Sequence, residues 1–430
     1  MYGAPREAAP TALRYSIDRM PGSTRQRSAS RSARVPARLR GLLSAVAPTL
    51  AFSLILGGGV LIGFCYGTLQ PRSEIDGFLD RATLGAFLDA EEKPAYASAY
   101  HDPAEAEAGM DDYAWTVPVV PVPYVGNAPA PGRHANAVIN VQLLRHPAPL
   151  AVPRPDGVVR IFLTGGSTAF GSGAPDLART IGGYLQALAQ ADLGPRTGLH
   201  YEVVNAANPS WTSSQERLWI QQHLIGLDPD LIVSFSGNND VHWGLLGRSV
   251  RWMRTHGDQH FHRLLALAYR AAGRPLPEVL PAVAGPVPPG DIARDLAANV
   301  DLVSHFLGAR DVPYVFALQP TLPVTAKELS EREAARRAKF ERSRGEEALG
   351  HFEDSYAAIA QALREAESEG ESDGFAFVDV SGVFDSDRPE VEIFLDSYHF
   401  GDRGNERIAR ALYAELRPRL LALRSSPGSG

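Results

Sequence analysis

The stretch VVRIFLTGGSTAFG, residues 158–171, decides the fold. Its first seven residues, apolar except for Arg160 and Thr164, form a run that is typical of a buried strand, and the turn Gly165-Gly166-Ser167-Thr168 follows directly. A helical pattern then begins around residue 178. A buried strand that leads through a glycine turn into a helix is typical of α/β proteins, and it displays the Ser167 hydroxyl at a helix N-terminus. Taken alone, a serine at this position is more often an ordinary helix cap than a nucleophile.

Strand and helix patterns alternate along the rest of the body. Further strands are predicted over residues 201–205, 231–236, 313–319 and 375–380. Helices are predicted over residues 178–193, 213–227, 292–307 and 403–423, and as a pair within 325–369. This alternation predicts an α/β domain with a parallel sheet that is covered on both faces, with polar residues gathered at the carboxyl ends of its strands.

Charge is distributed unevenly along the chain. The net charge is −7, but residues 1–40 contain nine arginines and two acidic residues, a net charge of +7. Residues 41–71 contain no charged side chain, and this run exceeds the ~20 residues that a helix needs to cross a bilayer. Arginines precede the run and acidic residues follow it, so the positive-inside bias predicts a cytoplasmic N-terminus. We therefore expect a disordered basic arm (1–40), with Met20 as an alternative start, and a single transmembrane helix (41–71).

A cleaved signal peptide is the alternative for the apolar run. The run is longer than the usual hydrophobic core of a signal peptide, and no Ala-x-Ala-like site follows it. The chain has one cysteine, so an intrachain disulfide is excluded. This residue, Cys65, lies inside the run. Residues 72–135 are rich in proline, with VPVVPVPY at 117–124, and predict an extended linker or stalk. The catalytic domain is expected over residues 136–424.

Three further short stretches of the body are rich in polar residues, and we call them blocks. They are NAANPSWT (205–212) after the second strand, GNND (237–240) after the third, and DSYH (396–399) far downstream. An aspartate three residues before a histidine lets its carboxylate accept a hydrogen bond from one ring nitrogen while the other nitrogen faces a serine. An asparagine such as Asn239 can donate to an oxyanion. Each block alone is common in proteins and often structural.

In this order, the blocks resemble those of the SGNH hydrolases, the GDSL-type esterase and lipase superfamily. The first block is GGST rather than GDS, and GNERIA (404–409) also follows the family's pattern. The resemblance covers the chain from about residue 136 to the C-terminus. It implies a flavodoxin-like three-layer α/β/α sandwich with a parallel sheet, here preceded by the single transmembrane helix. It also implies a catalytic set of Ser167 as nucleophile, His399 as base and Asp396, with no cofactor and no metal.

The oxyanion hole implied by the resemblance uses the N–H groups of Ser167 and Ser210 and the Asn239 amide. Ser210 stands where the family has a glycine. Its backbone N–H survives the substitution, but a serine would be strained if that position has a positive φ.

Together with the charge and hydropathy pattern, the resemblance implies a membrane-anchored serine esterase of the bacterial inner membrane, with its catalytic domain outside the cytoplasm. Its substrates would be acyl esters of envelope carbohydrate or lipid. The alternatives are an O-acyltransferase of polysaccharide modification and a non-catalytic envelope assembly or glycan-binding protein. Acyl-chain length, acceptor and oligomeric state are not determined by the sequence. The acidity of the body argues against a nucleic-acid partner.

Two sets of side chains have competing interpretations. Trp211 and Trp243 flank the blocks, and they could stack on substrate or pack beneath the loops. His256, His260 and His262 are interpreted as surface or lid residues rather than metal ligands, since no carboxylate pair or cysteine accompanies them.

Overall fold

The structure is a computed structural model, and it describes residues 53, 55–60, 83–248, 265–276, 285–369 and 374–423. The basic arm, most of the apolar run and the histidines at 256, 260 and 262 lie outside these ranges. Within the apolar run, residues 55–60 are helical. Across the described ranges, no helix has the length and apolar character needed to span a membrane. Most of the expected transmembrane helix, residues 41–71, lies outside these ranges. The chain divides into two compact units, Met1–Tyr66 and Gly67–Gly430; the second contains the sheet.

The second unit begins with short elements, which we call the N-terminal segment (residues 83–135). It contains the helices α1 (Lys93–Ala97) and α2 (Pro103–Gly109), the hairpin of β1 (Val119–Val122) with β2 (Gly126–Pro129), and β3 (Gly132–His134), which pairs with β4 (Ala137–Ile139). The Asp102 carboxylate caps α2 by accepting from two backbone N–H groups, and proline occupies the first turn of both helices.

The N-terminal segment differs from the linker expected over residues 72–135. Leu84, Tyr100 and Met110 are fully buried in a cluster that includes Leu395 of the body. The Tyr100 hydroxyl donates to the backbone oxygen of Gly173 at 2.7 Å. The prolines do favour extended backbone, but here that backbone pairs into hairpins rather than standing in solvent. The described part of the expected linker is therefore packed against the α/β body.

Five parallel strands form the central sheet. They are β5 (Val158–Gly165), β6 (His200–Asn205), β7 (Leu231–Ser236), β8 (Tyr314–Leu318) and β9 (Phe375–Asp379). Their spatial order is β6-β5-β7-β8-β9, and every neighbouring pair is parallel. Numbered within the sheet, this is the 2-1-3-4-5 order of flavodoxin-like folds. The sequence prediction of a parallel α/β sheet is confirmed.

Helices cover both faces of this sheet. They are α3 (Ser167–Phe170), α4 (Ile181–Thr197), α5 (Ser213–Gln222), α6 (Asn238–Leu245), α7 (Pro289–Gly308), α8 (Glu331–Arg344), α9 (Ala348–Glu369) and α10 (Asp402–Ala422). Side chains alternate along each strand. Ile161 and Leu163 pack with α4 and α10, and Phe162 packs with α5, α7 and α9. The result is three layers, and the break predicted within 325–369 falls between α8 and α9.

The order of the strands determines where polar side chains come together at the edge of the sheet. Strand β5 lies between β6 and β7, and the chain crosses first to β6 on one side of it and then to β7 on the other. Ligand sites of open α/β sheets lie at such a switch point, beyond the carboxyl ends of the strands. Ser167, the loop after β6 and Asn239 all follow these strand ends.

Candidate active site

Ser167 begins α3 immediately after β5, and the two glycines before it are needed for close packing. Gly165 has φ +149°, and a Cβ on it would lie 2.2 Å from the backbone oxygen of Phe235. A Cβ on Gly166 would lie 2.4 Å from Nδ2 of Asn239. The glycine pair therefore lets the Asn239 amide approach the serine turn.

The far end of α3 is held by two buried side chains. Arg145 Nη1 donates to the backbone oxygens of Phe170 at 2.7 Å and Gly171 at 3.0 Å. Asn205 Nδ2 donates to those of Ala169 at 2.9 Å and Phe170 at 3.0 Å. Burial lowers the pKa of Arg145 to about 10. A cation and an amide donor at the carbonyl end of a helix oppose its partial negative charge, so they stabilise the turn that presents Ser167.

His399 connects Ser167 to Asp396. Its Nε2 lies 2.7 Å from Ser167 Oγ, although the two residues are 232 positions apart. Its Nδ1 lies 2.8 Å from Asp396 Oδ2 and 3.0 Å from Oδ1. The His399 side chain is 6% exposed and that of Asp396 is 13% exposed. Proton transfer between Ser167 and His399 therefore requires no large rearrangement of these side chains.

Asp396 is held ionised by its surroundings. Burial acts to raise its pKa, but the charge and hydrogen bond of His399 and a backbone N–H outweigh this and leave the pKa below its ordinary value. Its Oδ1 accepts the backbone N–H groups of Tyr398 at 2.7 Å and His399 at 2.8 Å. An ionised carboxylate on Nδ1 leaves Nε2 as the nitrogen that can accept the serine proton.

The expected oxyanion donors follow the ends of three adjacent strands: Ser210 follows β6, Ser167 follows β5 and Asn239 follows β7. Asn239 Nδ2 donates to the backbone oxygen of Trp211 at 2.8 Å. Ser210 has φ 69°, the left-handed conformation that favours glycine. The loop that contains Ser210 is tied to β5 by the N–H of Asn208, which donates to the backbone oxygen of Gly165 at 3.1 Å. The serine therefore keeps a backbone conformation that is strained for its type.

The tryptophans of the blocks are buried. Trp211 is 1% exposed, its indole N–H donates to the backbone oxygen of Asn127 at 3.1 Å, and it packs on the edge of Trp219. Trp243 is 7% exposed and lies 5.1 Å from the Arg248 guanidinium. These positions favour packing beneath the loops over the alternative of stacking on substrate.

A different tryptophan contacts the site. The ring of Trp115, in the N-terminal segment, lies 4.3 Å from that of His399, centroid to centroid. Its backbone oxygen accepts from the Ser172 hydroxyl at 2.5 Å, and a Cβ on Gly173 would lie 3.1 Å from its ring. Sequence reasoning missed Trp115 because it lies in the expected linker. The only signal was the short aromatic group Tyr113-Ala114-Trp115 in an otherwise polar stretch.

No group of three or more histidine, cysteine, aspartate or glutamate side chains that could hold a metal occurs in the part of the chain that the structure describes.

Solved structures with a similar fold are ester hydrolases by name. A family 3 carbohydrate esterase from Clostridium thermocellum is 14% identical, with 62% of this chain and 100% of that chain covered and a TM-score of 0.34. A lipase/acylhydrolase from Enterococcus faecalis is 12% identical, with 61% and 96% covered and a TM-score of 0.37. A GDSL-like lipase from Bacteroides ovatus is 12% identical, with 62% and 56% covered and a TM-score of 0.34.

These proteins are of the class that the sequence blocks led us to expect. At such identities and TM-scores the similarity says nothing further about substrate or mechanism, which depend on the geometry of the site. No protein-family model matches the chain. No curated protein sequence matches it either.

Proposed function

We propose that this protein is a serine esterase that hydrolyses acyl esters through an acyl-enzyme. The observation that carries the proposal is the contact of His399 with Ser167 Oγ through Nε2 at 2.7 Å and with Asp396 through Nδ1 at 2.8 Å. A hydroxyl, an imidazole and a carboxylate in this order form the hydrogen-bonded set that activates a serine nucleophile.

The first half of the proposed reaction forms the acyl-enzyme. His399 Nε2 takes the proton from Ser167 Oγ as the oxygen attacks the ester carbonyl, and Asp396 stabilises the resulting imidazolium. The oxyanion is received by the N–H groups of Ser167 and Ser210 and by Asn239. Asn239 Nδ2 carries two hydrogens, and only one is needed for its bond to the Trp211 carbonyl. A donor of this kind contributes about 3 kcal/mol to transition-state stabilisation.

The first half ends when His399 gives its proton to the alcohol oxygen as the ester C–O bond breaks and the alcohol leaves. In the second half, His399 takes a proton from a water molecule that attacks the acyl-enzyme carbonyl. The proton returns to Ser167 Oγ as the acid leaves. An O-acyltransferase would use the same acyl-enzyme with a sugar hydroxyl in place of water. Product analysis with a glycan acceptor distinguishes the two, because a transferase yields acylated sugar instead of free acid.

A non-catalytic role on the same fold is disfavoured by two features of the site. The Ser167–His399–Asp396 hydrogen bonds have distances suited to proton transfer. Ser210 also keeps a left-handed φ of 69° that a relaxed surface loop would not need to retain.

For location, we propose that a single anchor over residues 41–71 holds the protein in the bacterial inner membrane. The arm over residues 1–40 would then be cytoplasmic, and the catalytic domain would lie outside the cytoplasm. The support is the uncharged apolar run and the opposite charges on its two flanks. Acyl esters of envelope carbohydrate or lipid follow from that location as the substrate class. Carbonate extraction of membranes and protease treatment of spheroplasts test it: extraction of the full-length protein by carbonate would contradict the anchor.

The substitution Ser167→Ala tests the activity in the full-length protein. We expect turnover of p-nitrophenyl acetate to fall about 10⁴-fold or more, because the nucleophile is lost. A fluorophosphonate should label the wild-type protein and fail to label the variant. The matched control is Ser368→Ala, an exposed serine in the last turn of α9, which should leave both measurements unchanged. Undiminished turnover in Ser167→Ala would remove Ser167 from the mechanism.

A further inference from the structure

Asp396 and His399 lie on a short hairpin, residues 393–401, that we call the acid–base hairpin. The N–H of Leu395 donates to the backbone oxygen of His399 at 2.8 Å, and the N–H of Gly401 donates to that of Ile393 at 3.1 Å. Phe394 and Phe400 form an antiparallel bridge between the two arms. The hairpin is internally well bonded, so the orientation of its two functional side chains depends on how the whole hairpin is fixed to the domain.

The tip of the acid–base hairpin is fixed by the loop after β8. The Thr321 hydroxyl donates to the backbone oxygen of Ser397 at 2.9 Å, and the N–H of Leu322 donates to the same oxygen at 3.1 Å. With one backbone attachment of this kind, and with Phe394, Tyr398 and Phe400 buried, small rotations of the hairpin remain possible. A second attachment, at the base, is needed to define its direction.

Helix α8 provides that second attachment. Glu333 Oε1 accepts the backbone N–H groups of Ile393 at 2.9 Å and Phe394 at 3.3 Å. Arg336 Nη1, one turn later, donates to the backbone oxygen of Phe394 at 2.7 Å. The helix therefore binds both the donor and the acceptor of the Phe394 backbone, two residues before Asp396.

The other oxygen of Glu333 holds the glutamate itself in place. Lys327 Nζ lies 2.6 Å from Oε2, and both side chains are 0% exposed. Oε2 also accepts the N–H of Ser330 at 3.2 Å, and the Ser330 hydroxyl accepts the N–H of Glu333, which completes a capping box. A capping box can be made by an exposed glutamate, whereas burying two charges carries a desolvation penalty. The burial of this pair is explained by the backbone that Glu333 binds.

We propose that Glu333 is a positioning residue of the active site: with Lys327 as its charge partner, it fixes Ile393 and Phe394 and so holds Asp396 and His399 against Ser167. The assignment rests on the proposed function, since it concerns the alignment of the same three residues. Because Thr321 and Leu322 still bind the tip, loss of the base attachment lets the hairpin turn without releasing it from the fold.

Two double variants of the full-length protein isolate this role. The first variant combines Lys327→Met with Glu333→Gln, and the second combines Lys327→Met with Glu333→Ala. Each variant removes the two buried charges. Only glutamine leaves an acceptor for the N–H groups of Ile393 and Phe394. With p-nitrophenyl acetate and active sites counted by fluorophosphonate labelling, we expect the glutamine variant to keep kcat within about threefold of wild type. The alanine variant should lose about 10-fold to 100-fold in kcat with KM within about twofold.

A purely structural role predicts a different result. Loss of stability alone changes the melting temperature and the fraction of labelled sites, but it leaves kcat per labelled site the same in the two double variants. Equal kcat values would overturn the proposal. If the alanine variant does not fold, Arg336→Met and Arg336→Lys give the second comparison: lysine can still donate to the Phe394 carbonyl, so kcat should fall only in the methionine variant. Equal values there would also overturn the proposal.

Failure of the proposed function would be visible separately. Ser167→Ala would then retain turnover, whatever the double variants do.

Discussion

The α/β body and the N-terminal segment contribute to one site by different means. The body holds Ser167 and His399 at strand ends and on a hairpin that its own hydrogen bonds define. The N-terminal segment has only short helices and hairpins, yet it brings Trp115 to 4.3 Å from the His399 ring. In the body, the hydrogen-bonded sheet fixes the positions of the site residues. The N-terminal segment has no such sheet, so the position of Trp115 depends on how the segment packs against the body.

The attachment of the segment shows how this dependence works. The Arg403 guanidinium donates to the backbone oxygen of Tyr100 at 2.8 Å, and the N–H of His101 donates to Asp402 Oδ1 at 2.8 Å. Arg403 and Asp402 begin α10, directly after the acid–base hairpin. The segment is therefore hydrogen-bonded to the part of the body that orients His399. We expect that loss of the segment also reduces the stability and activity of the body.

The largest expected effect comes from removing the segment. A chain that begins at Asn136 exposes the surface of the body that Leu84, Tyr100 and Met110 cover, and it lacks Trp115. Compared with a chain that begins at Ser73, we expect it to be insoluble, or to melt at least about 10 °C lower with esterase activity reduced more than about 100-fold. Circular dichroism melting and p-nitrophenyl acetate turnover measure both. Equal stability and activity would make the segment a linker after all.

The next largest expected effect is a difference between the two regions in how their stability depends on pH. Burial raises the pKa of Glu216, in α5 of the body, to about 8, whereas in the segment the hydrogen bond and charge of Arg179 lower the pKa of exposed Glu105. A buried acid with a raised pKa binds its proton more tightly in the folded state. The contribution of Glu216 to the stability of the body is therefore fully present below about pH 4.5 and is lost as the pH rises through about 8. The Glu105–Arg179 contact has the opposite sign and weakens as the pH falls through the lowered pKa of Glu105.

The substitution Glu216→Gln should remove the alkaline loss. At pH 9 its free energy of unfolding should exceed that of the wild type by about 2 kcal/mol, and at pH 4.5 the difference should be small, because both are then uncharged at this position. Urea unfolding at pH 4.5, 7 and 9 measures the difference. Glu353→Gln, at a glutamate that is 54% exposed, is the matched control. Parallel pH curves for Glu216→Gln and the wild type would contradict the assignment.

A smaller effect tests the contact between the regions directly. Trp115→Ala removes the ring that packs on His399, and we expect kcat to fall about 10-fold because the imidazole gains freedom to leave the line between Asp396 and Ser167. Trp115→Phe should recover most of the loss. Tyr124→Ala, at an aromatic side chain of the same segment that is 76% exposed, should have no effect on kcat. If Trp115→Ala changes KM but not kcat, the ring contacts substrate rather than orienting His399.

The two regions also differ in how far their roles could be predicted from sequence. Strand β5 is a long apolar run, and the blocks that contain Ser167, Asn239 and His399 keep their order along the chain, so fold class and candidate residues were accessible. Trp115 and Glu333 were not, because their roles arise from contacts with residues distant in sequence. Each has a local signal, an aromatic group for Trp115 and a capping box for Glu333, but neither signal identifies the partner.

The smallest effect concerns strain within the body. Ser210 holds φ 69°, where a Cβ is disfavoured and glycine is not. Ser210→Gly should therefore raise the free energy of unfolding by about 1 kcal/mol, since relief of the strain exceeds the entropy that glycine adds to the unfolded chain. Its kcat should stay within about twofold of wild type, because the backbone N–H is unchanged. Ser210→Ala is the matched control: it keeps the strain and removes only the hydroxyl. If alanine destabilises the protein as much as glycine stabilises it, the hydroxyl compensates the strain. If glycine lowers stability, the loop is held by the serine side chain rather than imposed on it by the sheet.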